Sequence, residues 1–245
     1  MKAIISILLL SPICIYAQNF DYLPAPVGNN QVLTYSQFTL SYNEEHEQAD
    51  WVAYELTRAE AEMDRDRCDC FASDTNVGTG SAVDGDYSST GFDRGHLSPA
   101  ADNNASELAN RESFLFLNMS PQLHYFNREV WVKLESWVRQ KATELGTVYV
   151  TTGPIFVNNL GKIGNNEVTI PGYYYKVLLT FKDDGNPSMV GFLFPHVVPA
   201  SADFKDFVVP VNTIETITGL NFFPALDNRD EGRYEAMISN SVWGL

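Results

Sequence analysis

The sequence predicts an α+β domain in which a mainly antiparallel sheet carries helices. Three observations point there. Apolar runs of strand length follow one another in neighbouring pairs, a single long amphipathic segment with helical spacing divides them, and few crossover helices separate the strands. The 245 residues suffice for one large domain or two small ones. With no internal repeat, low-complexity tract or linker, one domain over residues 18–245 is the economical reading.

The elements follow in order. Phe38, Leu40 and Tyr42 alternate as one face of a strand, and Trp51 to Leu56 form a more buried strand. Residues 64–87 are rich in Asp, Gly, Ser and Thr and read as an irregular loop. Ser113 to Leu117 reads as a short apolar strand. Beyond Asn127 the period changes: Val130, Trp131, Leu134, Trp137, Val138 and Leu145 lie on one helical face that ends near Gly146. Strands follow at 147–152, 173–181 and 189–195, the last two joined by the turn Lys182-Asp183-Asp184-Gly185-Asn186-Pro187. A short helix near 212–218 stops at Gly219.

Residues 1–17 read as an export signal, which predicts a secreted or periplasmic protein. Lys2 supplies the positive start, Ile4 to Leu10 the apolar core, and Ile15-Tyr16-Ala17 a cleavage site before Gln18. The run is too short to span a membrane, and no later run approaches about 18 apolar residues. Cys68 and Cys70 flank Asp69. Bridging residues two apart strains a disulfide and two cysteines are too few for structural zinc, so two loop thiols without a catalytic part are expected, with a bridge between chains as the alternative.

The formal net charge of −15 argues at first against a polyanion partner. The distribution is uneven, however. From Arg94 to Lys141 there are six basic residues (Arg94, Arg111, Arg128, Lys133, Arg139, Lys141) against five acidic ones (Asp102, Glu107, Glu112, Glu129, Glu135). A site for a polyanion is expected inside that window, on an acidic body that favours solubility and short residence.

Chemistry concentrates in the same window. Asp93-Arg94-Gly95-His96 sets a guanidinium two residues before an imidazole, across a glycine that allows a tight turn. Phosphodiester hydrolysis needs a base for water and positive charge on the transition state, tasks suited to His96 and Arg94. Downstream come Asn118-Met119-Ser120-Pro121-Gln122, Phe126-Asn127-Arg128, Glu135 and Arg139. The Asn127 amide oxygen is a hard neutral ligand suited to hydrated Mg²⁺. Glu135 lies roughly 12 Å along a helix from it, at about 1.5 Å per residue, so it reaches a water of the ion more readily than the ion itself. Each residue has a plainer alternative: a core histidine for His96, a helix cap for Asn127, a surface pair for Glu135 and Arg139.

Together these stretches resemble the DNA/RNA non-specific endonuclease family, the ββα-metal nucleases. The likeness runs from about Trp51 to Leu226. It includes Asp93-Arg94-Gly95-His96, Asn118-Met119-Ser120-Pro121-Gln122, Phe126-Asn127, Leu134-Glu135, Thr152-Gly153-Pro154, Ile214-Glu215 and Thr218-Gly219-Leu220-Asn221-Phe222-Phe223. It implies a ββα-metal motif and a Mg²⁺-dependent endonuclease cutting DNA and RNA, with Mn²⁺ or another divalent cation as alternatives. It further implies His96 as general base, Asn127 as sole direct protein ligand of the ion, and Glu135 holding one of its waters. Arg94 and Arg139 would contact the scissile phosphate, and Asn118 would support His96 or the metal site. Arg67 would be the upstream arginine, with Arg65 its rival. The chain departs from the best-known pattern in its acidity, which bears on tight DNA binding more than on chemistry. His46, His124 and His196 receive no role, His46 and His196 being read as surface or strand-end residues, and the oligomeric state stays open, a homodimer included. Two other readings remain: an inactive nuclease-fold binding module, and a phosphodiesterase on small phosphate esters.

Overall fold

A computed structural model describes residues 21–26 and 28–245, so the leader expected at 1–17 lies outside the described residues. The chain opens with an antiparallel meander of β1 (Gln31–Thr34), β2 (Thr39–Asn43) and β3 (Gln48–Thr57). Thr57 caps the short α1 (Arg58–Ala61) in a reciprocal box with Glu60. The irregular stretch expected from 64 follows and ends in α2 (Asp84–Tyr87).

Next come β4 (Phe92–His96), α3 (Glu107–Ser113) and β5 (Met119–Leu123). A π-helical turn over Phe126–Trp131 then runs into α4 (Val132–Leu145), which Gly146 terminates at positive φ. The remainder is β6 (Thr147–Ile155), the small pair β7 (Lys162–Ile163) and β8 (Val168–Thr169), β9 (Tyr173–Phe181), β10 (Pro187–Pro195), β11 (Val208–Val209), α5 (Val211–Thr218), α6 (Asn228–Glu235) and α7 (Asn240–Trp243).

Seven strands form one antiparallel sheet in the order β1-β2-β3-β6-β9-β10-β11. Alternation along β9 assigns its residues to two cores. Tyr174 and Leu178 face Trp131, Leu134, Trp137 and Val138 of the π turn and α4, while Tyr175, Val177 and Leu179 face α5 and Phe222. Because both faces are covered, the middle strands read as near-continuous apolar runs and not as a clean alternation.

Outside this sheet, β4 and β5 form a separate two-stranded ribbon pairing His96 with Met119 and Arg94 with Pro121. With the helix that follows, it makes the expected ββα motif. Neither strand is evident from the residues, since Gly95 and Pro121 both disfavour strand interiors. Gly95 does not make a turn: it lies within β4, where a Cβ would overlap the Gln122 side chain. The strand expected at 113–117 is absent. Ser113 ends α3, residues 116–118 form a 3-10 turn, and one bridge joins Leu115 to Ala72. The apolar run there is core packing at Phe114, Phe116 and Leu117. Among the described residues no helix is long and apolar enough to cross a membrane.

Candidate active site

The ribbon positions one half of the site. Along β4, Arg94 and His96 share a face and Asp93 takes the other. His96 is buried edge-on against Phe114, with ring centroids 4.9 Å apart. Its Nε2 has no hydrogen-bond partner among the described residues. Burial first, then the charge of Arg67, holds its pKa down at about 3. The imidazole is therefore neutral at physiological pH, the form that can accept a proton.

Asn118 fixes the backbone just beyond His96. It is fully buried; its Oδ1 accepts from the Ser98 N–H at 2.8 Å, and its Nδ2 donates to the Ser98 and Ser113 carbonyls, each at 2.8 Å. Its backbone carbonyl accepts from the Leu97 N–H at 2.9 Å. Asn118 thus orients the His96 segment and does not line the cleft.

The helix side supplies Asn127, Glu135 and Arg139. Asn127 is no cap: it sits inside the π turn, a local widening often found at functional sites. Its Nδ2 donates to Asp93 Oδ2 at 3.0 Å. Asp93 also accepts from Arg128 at 2.9 and 2.6 Å and pairs with His124 Nδ1 at 2.8 Å. The carboxyl of Asp93 stays below its ordinary pKa because these donors outweigh its partial burial.

Glu135 and Arg139 are not a surface pair. Arg139 donates to Asp102 Oδ1 at 2.9 Å, and the second oxygen of that buried carboxylate accepts from Tyr54 at 2.8 Å. Glu135 is half-buried, and burial raises its pKa against the opposing pull of Lys176 first and Arg139 later.

Arg67 comes from the loop after α1. Its guanidinium pairs with Asp69 and lies 5.1 Å from the Phe114 ring centroid. Cys68 and Cys70 flank Asp69 and are joined in a disulfide, their Cα atoms 5.1 Å apart, which corrects the expectation of two free thiols. The Asp69 backbone at φ 47° makes the tight bridge possible. Arg65 instead donates to the Asn104 carbonyl at 3.2 Å and faces a neighbouring cavity.

An open cleft of about 690 Å³ gathers Arg67, Arg94, His96, Asn127, Glu135 and Arg139. Arg128 joins them there. Arg94 is paired with Asp84, and its guanidinium lies 4.2 Å from the Phe71 ring centroid. Every site residue expected from sequence except Asn118 is in this one cleft.

Asp93 and Arg128 lie within the motifs but went unassigned, and Asp102 and Lys176 gave no local signal at all. Lys176 sits in an apolar strand and Asp102 in a 3-10 turn; only the fold brings either near Glu135. His46 is half-buried against Phe156, and His196 is fully buried: its Nε2 accepts from the Leu123 N–H at 2.9 Å and its Nδ1 faces the Pro171 carbonyl at 2.8 Å. Burial overturns the surface reading of His196, while its place directly after β10 is the strand end expected.

The donor set suits a hydrated, hard divalent cation. Among the described residues no group of three or more His, Cys, Asp or Glu side chains could hold a metal ion, so no multi-ligand cage competes. Asp93 engages the nitrogen end of the Asn127 amide, which leaves the oxygen as the end for a cation. The unpartnered His96 Nε2 is a buried polar atom that needs a hydrogen-bonding partner, such as water.

A two-stranded ribbon feeding a helix, with histidine on the ribbon and asparagine at the helix entry, defines a ββα-metal nuclease. Comparison with known proteins settles the family. The DNA/RNA non-specific endonuclease family matches residues 17–229, and the chain belongs to it: the protein is an endonuclease of a metal-dependent nuclease family. It is 33% identical over 227 residues to a nuclease of Syncephalastrum racemosum, covering 83% of this chain and 70% of that one. It is 34% identical over 217 residues to mitochondrial endonuclease G of Caenorhabditis elegans, covering 82% and 70%. A crystal structure of the EndoG/EndoGI complex matches with a TM-score of 0.76 at 29% identity, covering 83% of this chain and 89% of that one.

These relatives correct the expected secreted or periplasmic location. Those from C. elegans, human, Danio rerio and Schizosaccharomyces pombe are named as mitochondrial, which contradicts it.

Proposed function

We propose that this cleft hydrolyses phosphodiester bonds of DNA and RNA without regard to sugar or base sequence, within one nuclease domain. The observation that carries the reading is the neutral His96 with an unpartnered Nε2, in one cleft with Asn127, Glu135 and four arginines. His96 takes the proton of the attacking water. Asn127 would hold Mg²⁺ through its amide oxygen, and Glu135 would hold a water of the ion. When bound, the cation supplies a Lewis acid that offsets charge on the phosphate and the departing oxygen.

Arg94, Arg67 and Arg139 bind phosphate oxygens as donor forks. Their acidic partners differ in kind. The Arg94–Asp84 and Arg67–Asp69 pairs are solvent-exposed and worth little, so phosphate can replace the carboxylates. Asp102 is buried and holds Arg139 in a fixed pose. With contacts confined to phosphate, sequence selectivity is low. A zymogram with DNA in one gel and RNA in another tests this. Clearing in both supports the proposal. Clearing in one alone would reveal a contact to the 2′ position, and clearing in neither would favour an inactive scaffold or an esterase for small phosphates.

A further inference from the structure

Lys176 is a buried cation for which the hydrolysis described above has no use. It lies mid-strand in β9, in register with Thr152 of β6 and Phe192 of β10, and is fully buried. Its neighbours Tyr174 and Leu178 on the same face belong to the core beneath α4. Its Nζ donates to Thr152 Oγ1 at 2.5 Å and lies 5.0 Å from the Trp131 ring centroid. Trp131 precedes Glu135 by four residues, so both occupy the inward side of the helix.

A lysine this deep is costly unless an anion compensates it. It forms no direct ion pair among the described residues; the carboxylates that act on it are Glu135 first and Asp102 second. Asp102 already has Arg139 and Tyr54. Glu135 has no such partner among the described residues. The charged groups facing Glu135 are Lys176 from β9, Asp102 from the turn after Pro99, Arg139 from its own helix and Arg67 from the loop, and Lys176 is the strongest attraction among them.

We propose that Lys176 is a positioning residue for the hydrolysis: its buried ammonium, held against Trp131 one helical turn before Glu135, is the counter-charge to the Glu135 carboxyl at the cleft. The inference rests on Glu135 belonging to the active site. Lys176 touches neither cleft nor substrate and acts through Glu135 alone. Without it, burial returns Glu135 toward its neutral acid, which reaches the hydration shell of a cation poorly.

The test is a double-mutant cycle of Lys176→Met and Glu135→Gln, read by pH–rate profile and thermal unfolding. Lys176→Met should move the acid limb upward by about one unit or more, the size of a neighbouring charge effect. In the Glu135→Gln background the same change should alter rate by no more than about twofold, because its route is gone. The double variant should also unfold at a higher temperature than Lys176→Met, since a neutral amide needs no buried cation. An unmoved limb, equal losses in both backgrounds, or a double variant no more stable than Lys176→Met would each overturn the proposal. If Lys176→Met does not fold, the double variant decides: a folded one supports the pairing and an unfolded one refutes it. The unfolding arm needs no activity, so it separates failure here from failure of the functional reading.

Discussion

Asn127 donates a 3.0 Å hydrogen bond from its Nδ2 to Asp93, the first residue of Asp93-Arg94-Gly95-His96. That bond joins the helix to the ribbon and fixes which end of the amide is left for a cation. The histidine motif therefore contributes a partner to Asn127 as well as His96 itself.

Asp93→Ala should weaken Mg²⁺ binding by about tenfold or more, the usual cost of losing a partner that orients a ligand. Asp93→Asn should fall between, keeping a hydrogen-bonding oxygen but losing the ion pair with Arg128. Calorimetric titration of Mg²⁺ measures this apart from turnover. Equal affinities in all three proteins would show that Asn127 orients itself.

Asn118→Ala should destabilise the fold and slow catalysis together. It strands the Ser98 N–H and the Ser98 and Ser113 carbonyls in a buried setting, at about 1–3 kcal/mol per unsatisfied group before relaxation. Urea unfolding and kcat on a defined oligonucleotide check it, kcat falling more than KM rises. A stable variant with normal kcat would remove Asn118 from the account.

Acid should act through His196 in a way its replacement exposes. Burial holds its pKa at about 4 against 6.5 for the free side chain. The unfolded chain thus binds more protons between those values, and the contribution of His196, complete above about pH 6.5, declines as pH falls toward 4. His196→Gln should be less stable than the parent at pH 7.5, by about 1–3 kcal/mol for the lost Leu123 and Pro171 hydrogen bonds, and the gap should narrow by pH 4.5. Thermal unfolding at several pH values gives the comparison. A gap that widens in acid would mean the ring is charged in the fold.

Salt should weaken cleavage only gradually. Arg94 and Arg67 start in exposed pairs with Asp84 and Asp69, so phosphate exchanges one anion for another and few counterions are released. A plot of log kcat/KM against log salt should be shallow. A slope like that of a protein with six or more phosphate contacts would reveal a basic surface beyond the cleft.

Much of this was legible in the residues, unevenly. The antiparallel sheet and α4 declared themselves through long apolar runs, where periodicity is strongest. The ribbon did not, because β4 and β5 are five residues each, broken by Gly95 and Pro121, with more than twenty residues between them. Asn127 was legible as a motif residue but its π turn was not, since π and α turns differ by one residue of register. Asp102 and Lys176 were invisible for a different reason: their partners, Arg139 for Asp102 and Thr152 and Trp131 for Lys176, are distant in sequence.

The central claim separates the base from the metal ligand, and calorimetric Mg²⁺ binding beside plasmid cleavage across a Mg²⁺ titration tests it most directly. His96→Ala should lose about 10² to 10⁴ in rate while retaining metal affinity, and no concentration of Mg²⁺ should restore it. Asn127→Ala should bind Mg²⁺ weakly and recover part of its activity at high Mg²⁺. Loss of the metal in His96→Ala, with normal binding in Asn127→Ala, would contradict the account by making the histidine the ligand.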